Sequence, residues 1–173
     1  LIFINNQIMK IYKKINNSDL IKALEIYNYF IKNSISNFEE KELSLKDFNS
    51  LYKKINKNKL PFIIGKFESE VIGLAFVNKF REKSGYRFTY EHSIYIKKNY
   101  ANLGYGSKIL EDLIKKCKKN KNIKNLIAVI GGSNNIASFR IHKKKGFKYI
   151  GTLKKIGFKK NRWIDSIYMQ KKL

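Results

Sequence analysis

From residue 9 onward the hydrophobic positions recur first with a period of two, then of three to four, and this change repeats along the chain. Residues 9–15 alternate as a short strand. In NNSDLIKALEIYNYFIKNS, residues 16–34, Asn17, Ser18 and Asp19 offer helix caps, and Leu20, Leu24, Tyr27 and Ile31 follow at helical spacing. LSLKDFNSLYKKI, residues 43–55, predicts a second, weaker helix. PFIIGKF and EVIGLAFVNKF, joined through Glu68 and Ser69, read as a β-hairpin, and residues 86–97 as a further strand. A helix over 104–119 puts Ile109, Leu110, Leu113, Ile114 and Cys117 on one face. The apolar run NLIAVI, residues 125–130, predicts a strand buried on both faces. A helix over 134–145 closes at Gly146, and the tail forms two long strands joined near Lys160 and Asn161. Strands and helices alternate, which predicts an α/β domain with a mixed sheet.

At 173 residues the chain is the size of one domain with a sizeable core. Residues 9–173 are taken as that domain, with Met9 as the natural start and 1–8 as an upstream extension. A single cysteine, Cys117, excludes a disulfide framework and a cysteine-based zinc cluster, and fits a reducing cytoplasm. No stretch of eighteen apolar residues predicts a membrane span. The net charge of +24 raises nucleic-acid binding as a reading. Lysine is spread over every segment, however, and no nucleic-acid-binding signature accompanies it, so this is the minority reading. A nucleotide-bearing small ligand suits the same charge.

Two places carry chemistry. In TYEHSIYIKKNYANLGYGSKIL, residues 89–110, a strand runs into Gly104-Tyr105-Gly106 and then a helix. Glycines let the backbone approach an anion, and free N–H groups at a helix start point toward it. Alone, such a turn is equally well explained by tight packing; it lacks the third glycine of the dinucleotide fingerprint and the Gly-Lys-Ser/Thr of a P-loop. In the helix after the buried strand, Asn135, Ser138 and His142 have spacings that place three polar side chains on one face. A position after a strand end is where α/β proteins bind ligands, although His142 alone reads as a surface histidine.

Taken in order, the motifs YNYFIKNSISNFEE (27–40), FREKSGYRFTYEHSIYI (80–96), NLGYGSKIL (102–110), NNIASFRIHKKKGF (134–147) and GFKKNRWIDSIYMQKKL (157–173) resemble the GNAT acyltransferase superfamily. Within it they resemble the phosphinothricin N-acetyltransferase-like family. The resemblance implies a mixed, strongly twisted central sheet flanked by helices and splayed between two parallel strands, here 90–97 and 125–130. It implies acetyl-CoA as co-substrate in the splay, and no metal. The backbone of Ile94, Tyr95 and Ile96 would hydrogen-bond the pantetheine arm, and Asn102, Leu103, Gly104, Tyr105, Gly106 and Ser107 would hold the pyrophosphate. Ala101 stands where the superfamily has Gln or Arg, so one side-chain contact is missing and weaker binding is expected, with Lys108 as one compensating charge. Glu91 stands at the glutamate of Thr-x-Glu-x-Ser as general base, taking a proton from the acceptor amine. Asn135 and Ser138 stand at cofactor-side positions, and His142 takes the place of a superfamily tyrosine, either protonating the leaving thiolate or orienting the ligand.

For the acceptor, the resemblance implies Arg81, Lys83 and Tyr86 on a loop suited to a carboxylate or phosphinate, with Phe38 and Glu39 on the loop after the first helix. Phe38 is equally readable as core, and Trp163 and Asp165 as structural. Cys117, on an apolar helix face, is a poor nucleophile. The implied activity is transfer of the acetyl group to the primary amine of a small acceptor, an amino acid or analogue such as phosphinothricin or methionine sulfoximine, by direct attack. A polyamine, an antibiotic or a protein N-terminus are other acceptors that suit the same base. A non-catalytic acyl-CoA sensor is the rival from outside the enzymes. The family also implies a homodimer.

Overall fold

Local chemistry sets where each helix begins. The first starts at Asn17 because Asn16, in extended backbone, accepts the Asp19 N–H through Oδ1 at 2.8 Å. The cap is therefore Asn16, not Asn17, Ser18 or Asp19; the Asp19 carboxylate instead pairs with Lys66 at 2.5 Å. Ser44 caps the second helix by accepting the Asp47 N–H. The computed structural model describes residues 9–12 and 14–173. In order these form β1 (Lys10–Tyr12), α1 (Asn17–Asn33), α2 (Leu45–Lys57), β2 (Phe62–Phe67), β3 (Glu70–Lys79), β4 (Thr89–Ile96), α3 (Tyr105–Lys118), β5 (Asn125–Gly131), α4 (Ile136–Lys144), β6 (Lys148–Lys159) and β7 (Arg162–Lys172). The strand expected over 9–15 is seen at 10–12, while Lys13 and the extension 1–8 lie outside the described residues. The strand expected from residue 86 starts at Thr89, because Ser84–Tyr86 coil into a 3₁₀ turn.

The strands form one mixed sheet in the order β1-β2-β3-β4-β5-β7-β6. The hairpins β2–β3 and β6–β7 form as expected, the second through Lys160 and Asn161, both at positive φ as a tight hairpin turn requires. The apolar face of α3, from Ile109 to Cys117, is buried against β2 and β3. Leu126, Ile127, Ala128 and Ile130 of β5 are buried on both faces of the sheet, as the continuous apolar run predicts. Among the described residues no helix is long and apolar enough to cross a membrane.

One feature of the sheet makes the site. β4 and β5 are parallel, but they pair only at Thr89↔Asn125, Tyr90↔Leu126 and Glu91↔Ile127. β5 then continues against β7 to Gly131, and β4 continues against β3 to Ile96. The two strands therefore part after Glu91 and leave a wedge in the middle of the sheet. Thr89 accepts the N–H of Phe80 and Lys97 donates to Ile72, so the odd-numbered residues of β4 direct their backbone groups at β3. The even-numbered ones, Ile94 and Ile96 among them, face the wedge.

Candidate active site

The wedge opens into a cavity of about 650 Å³ lined from both faces of the sheet. Alternation along β4 divides its chemistry. Glu91, Ser93 and Tyr95 point to the α1 side, where Tyr95 packs on Tyr27 and Phe30 with ring centroids 5.2 and 5.1 Å away. His92, Ile94 and Ile96 point to the α3 and α4 side, where His92 meets His142 and Phe147. A cavity that cuts through a sheet can thus present a carboxylate on one wall and imidazoles on the other.

On the first wall, burial pushes the Glu91 carboxyl above its ordinary range, and the charge of Arg81 partly opposes this. Phe38 and Glu39 line the same wall. The loop that carries them is held from beyond the cavity: Phe38 lies over Gly157, and the buried ammonium of Lys159 donates to the Asn37 carbonyl at 2.5 Å. Phe38 thus packs and lines the cavity at once. Arg81, Lys83 and Tyr86 are not brought into the lining. They stand exposed on the loop between β3 and β4, with the Arg81 guanidinium 4.9 Å from the Phe80 ring and Tyr86 stacked edge-on against that ring.

At the far end of the wedge, Glu70 binds both Lys97 and the Tyr100 hydroxyl, which ties the end of β4 to β3 and steadies the next turn. Asn102, Gly104, Gly106 and Ser107 line the cavity there. Gly104 is the N-cap of α3 at a φ of +85°, and an added Cβ would meet nothing within 4 Å. The glycine is required for the left-handed turn rather than for space. The first N–H groups of a helix have no partner within it, and the start of α3 borders the cavity through Gly104, Gly106 and Ser107. Leu103 and Tyr105 are outside the lining: Leu103 is exposed, and Tyr105 packs against Phe67 and Tyr100. Lys108 pairs along its own helix with Asp112 at 3.7 Å.

On the second wall, α4 begins at Ile136 because Asn135 caps it, accepting the Ser138 N–H at 3.3 Å. Asn135, Ser138 and His142 all line the cavity. Asn135 and Ser138 are half-buried, whereas His142 is not the surface histidine it reads as alone: it is buried, and its Nδ1 lies 2.7 Å from the Ser138 carbonyl. Its Nε2 lies 2.8 Å from Nε2 of His92, also buried. Burial holds both imidazoles below their ordinary pKa, and for His92 the neighbouring His142 lowers it further. Cys117 is buried, its thiol pushed up to about 12, so it is no nucleophile. His92 escaped the sequence reading, as did the aromatic wall of Tyr27, Phe30 and Phe76. The pairing of two histidines 50 positions apart leaves no local signal, although two histidines in a whole chain invite the question.

A family model described as an acetyltransferase (GNAT) domain matches residues 12–168. The phosphinothricin N-acetyltransferase of Alcaligenes faecalis is 33% identical over 159 residues, 92% of this chain and 80% of that protein. The L-methionine sulfoximine/L-methionine sulfone acetyltransferase of Pseudomonas aeruginosa is 29% identical, with 88% of each chain covered. The crystal structure of a GNAT superfamily phosphinothricin acetyltransferase from Sinorhizobium meliloti in complex with AcCoA is similar at a TM-score of 0.87 and 29% identity, over 95% of this chain and 88% of that one. A splayed mixed sheet, a glycine-capped helix at the end of the splay and a match along almost the whole sequence agree: the chain belongs to the GNAT acetyltransferase family.

Proposed function

We propose that the protein transfers the acetyl group of acetyl-CoA to the primary amine of a small acceptor, an amino acid or a close analogue, by direct attack in a ternary complex. The observation that carries this reading is the parting of β4 from β5 directly after Glu91, which sets a half-buried carboxylate and a buried imidazole on opposite walls of one cavity. The names of the relatives, phosphinothricin and methionine sulfoximine acetyltransferases, support the acceptor class.

The residues fit acetyl-CoA. Backbone groups of Ile94 and Ile96 face the wedge as an unpaired strand edge would, suited to the amides of a pantetheine arm. The N-terminus of α3 suits a pyrophosphate. Asn135 and Ser138 border the α4 side. Glu91, with its raised proton affinity, takes the proton of the acceptor ammonium, directly or through water, and the freed amine attacks the thioester carbonyl. The Ile94 N–H is the donor offered to the developing oxyanion. As the C–S bond breaks, the second proton of the attacking nitrogen passes to the departing CoA thiolate, directly or through water, which gives the amide and free CoA thiol.

A second reading has one observation in its favour. Glu39 and Glu91 line the cavity, and no lysine or arginine is among its lining residues. This charge suits a cationic acceptor such as a polyamine. An acidic acceptor instead requires Arg81 or Lys83 to turn inward from the exposed loop. Acetyl-CoA-dependent thiol release with phosphinothricin, methionine sulfoximine, methionine sulfone, spermidine and an aminoglycoside, against a blank without acceptor, tests both. Turnover with the amino-acid analogues supports the first reading, and turnover confined to spermidine the second. CoA binding without any turnover supports the sensor. In the first case Arg81→Ala is expected to raise KM for an acidic acceptor about tenfold, the loss of one charged hydrogen bond, and to spare neutral amines. An equal effect on both would put Arg81 outside acceptor recognition.

The cytoplasm and a homodimer belong to the same proposal. The buried free thiol of Cys117 suits a reducing compartment. The edge strand β6 and its turn expose Ile150, Leu153, Ile156 and Phe158, an apolar surface suited to a second copy. Sedimentation velocity at micromolar concentration distinguishes dimer from monomer.

A further inference from the structure

The second wall of the cavity carries a constraint that the acetyltransferase reading does not use, although the catalytic meaning of that constraint rests on the reading. A carbonyl oxygen only accepts hydrogen bonds, so the 2.7 Å contact to the Ser138 carbonyl requires the proton of His142 to sit on Nδ1. The Ser138 hydroxyl, at 3.4 Å, adds little. A neutral imidazole has one N–H, so Nε2 of His142 is then a lone pair. Its 2.8 Å contact to Nε2 of His92 needs a donor, and His92 must supply it. Both rings are nearly inaccessible, at 2% exposure for His142 and 5% for His92. Phe147 packs against both, with centroids 5.1 and 5.3 Å away, and closes the pair from the side. The backbone is fixed as well: the Phe147 N–H bonds to the His142 carbonyl as the chain leaves α4.

We infer that His92 is a positioning residue: the Ser138 carbonyl sets the neutral Nδ1–H tautomer of His142, and the Nε2–H of His92 takes up the remaining lone pair and fixes the ring against the cavity. Every ring nitrogen of His142 is thereby engaged. The neutral ring has no free N–H to give a leaving thiolate, so of the two roles open to His142 the arrangement selects orientation of the ligand over direct proton donation. A side chain that acts only through another is expected to affect turnover more than binding. The other nitrogen of His92, Nδ1, is buried without a well-formed hydrogen bond, and the Ile127 carbonyl favours a proton there.

The chain has only two histidines, which makes the test direct. Long-range ¹H–¹⁵N spectra of the free, uniformly labelled protein at pH 7.5 should show one ring protonated at Nδ1 and one at Nε2, with His92→Gln identifying which is which. In His92→Leu the surviving ring should keep its proton on Nδ1, held by the Ser138 carbonyl, while its Nε2 resonance moves to that of a lone pair without a donor. In His92→Gln, whose amide can donate from nearly the position of Nε2, the Nε2 resonance should stay near the wild-type position. For turnover, His92→Leu should lower kcat about tenfold with KM for acetyl-CoA within about twofold, the scale seen when partners that orient a functional histidine are removed. His92→Gln should recover most of the loss. A wild-type spectrum with His142 protonated at Nε2, or with both rings in tautomer mixtures, overturns the inference even if no variant folds. So does a His92→Leu protein with an unchanged Nε2 resonance of His142 and unchanged kcat. The spectra need no acceptor, so a failure of the acetyltransferase reading cannot be mistaken for a failure of this one.

Discussion

A carboxylate that must take a proton from an ammonium works better when its own proton affinity is raised, and burial does this to Glu91. The same burial has a structural cost. A carboxyl whose pKa is raised on folding destabilises the native state increasingly as pH rises from the ordinary value of 4.5 through the raised one, and the cost is constant above that. Glu91→Gln should therefore raise the melting temperature at pH 7.5 while lowering kcat by about 100-fold or more, with acetyl-CoA affinity little changed. Calorimetry and steady-state kinetics on one preparation check both, and a variant that is slower and also less stable would contradict the assigned environment. His92 and His142 carry the opposite sign. Their pKa values are lowered, so the unfolded chain binds more protons than the native one in acid. Their contribution is full above the ordinary value of 6.5 and is lost as pH falls below it, at up to about 1.4 kcal/mol per pH unit for each ring. Melting curves between pH 8 and pH 5 should show this fall, and His92→Leu should make it shallower. An equally steep fall in the variant would mean that His92 is not buried neutral.

At the scale of elements, the acceptor wall depends on a contact far away in sequence. The loop after α1 is pressed onto β6, where Gly157 leaves room for the Phe38 ring. A methyl group there cannot fit without moving the ring. Gly157→Ala should cost about 1–3 kcal/mol through overpacking and raise KM for the acceptor, while leaving KM for acetyl-CoA within about twofold. Kinetics with each substrate varied in turn separate the two, and equal rises in both constants would mean that the loop does not serve the acceptor alone. Much of this scale is legible in the chain itself. The shift from period two to helical period finds four helices, the β2–β3 and β6–β7 hairpins and the two central strands, whose parallel pairing the family resemblance implies. Errors gather at boundaries, where capping decides the outcome: Asn16 and Asn135 cap α1 and α4 from one residue outside each helix. In the candidate site, Glu91, the glycine turn and the α4 residues are found because each lies in a local pattern. His92 and the aromatic wall are missed because each matters only through a partner brought to it by the sheet.

For the whole molecule, a charge of +24 on 173 residues gives a positive field that draws in a polyanion such as acetyl-CoA. KM for acetyl-CoA should rise between about 20 and about 200 mM NaCl, as screening shortens the reach of that field, and KM for a zwitterionic acceptor should move less. Identical salt responses would make the charge irrelevant to substrate capture. The order of elements, the buried central strand, the glycine turn and the carboxylate beside the splay are all written in the chain. The first three come from period, propensity or spacing within a few neighbouring residues, and the place of the carboxylate beside the splay from the family resemblance. Three further facts emerge only on folding: the splay that the family resemblance implies begins directly after Glu91; Arg81, Lys83 and Tyr86 stand outside the cavity lining; and His92 and His142 form a buried pair. They depend on how far two strands remain hydrogen-bonded and on which faces meet across the sheet, and packing between distant segments sets both.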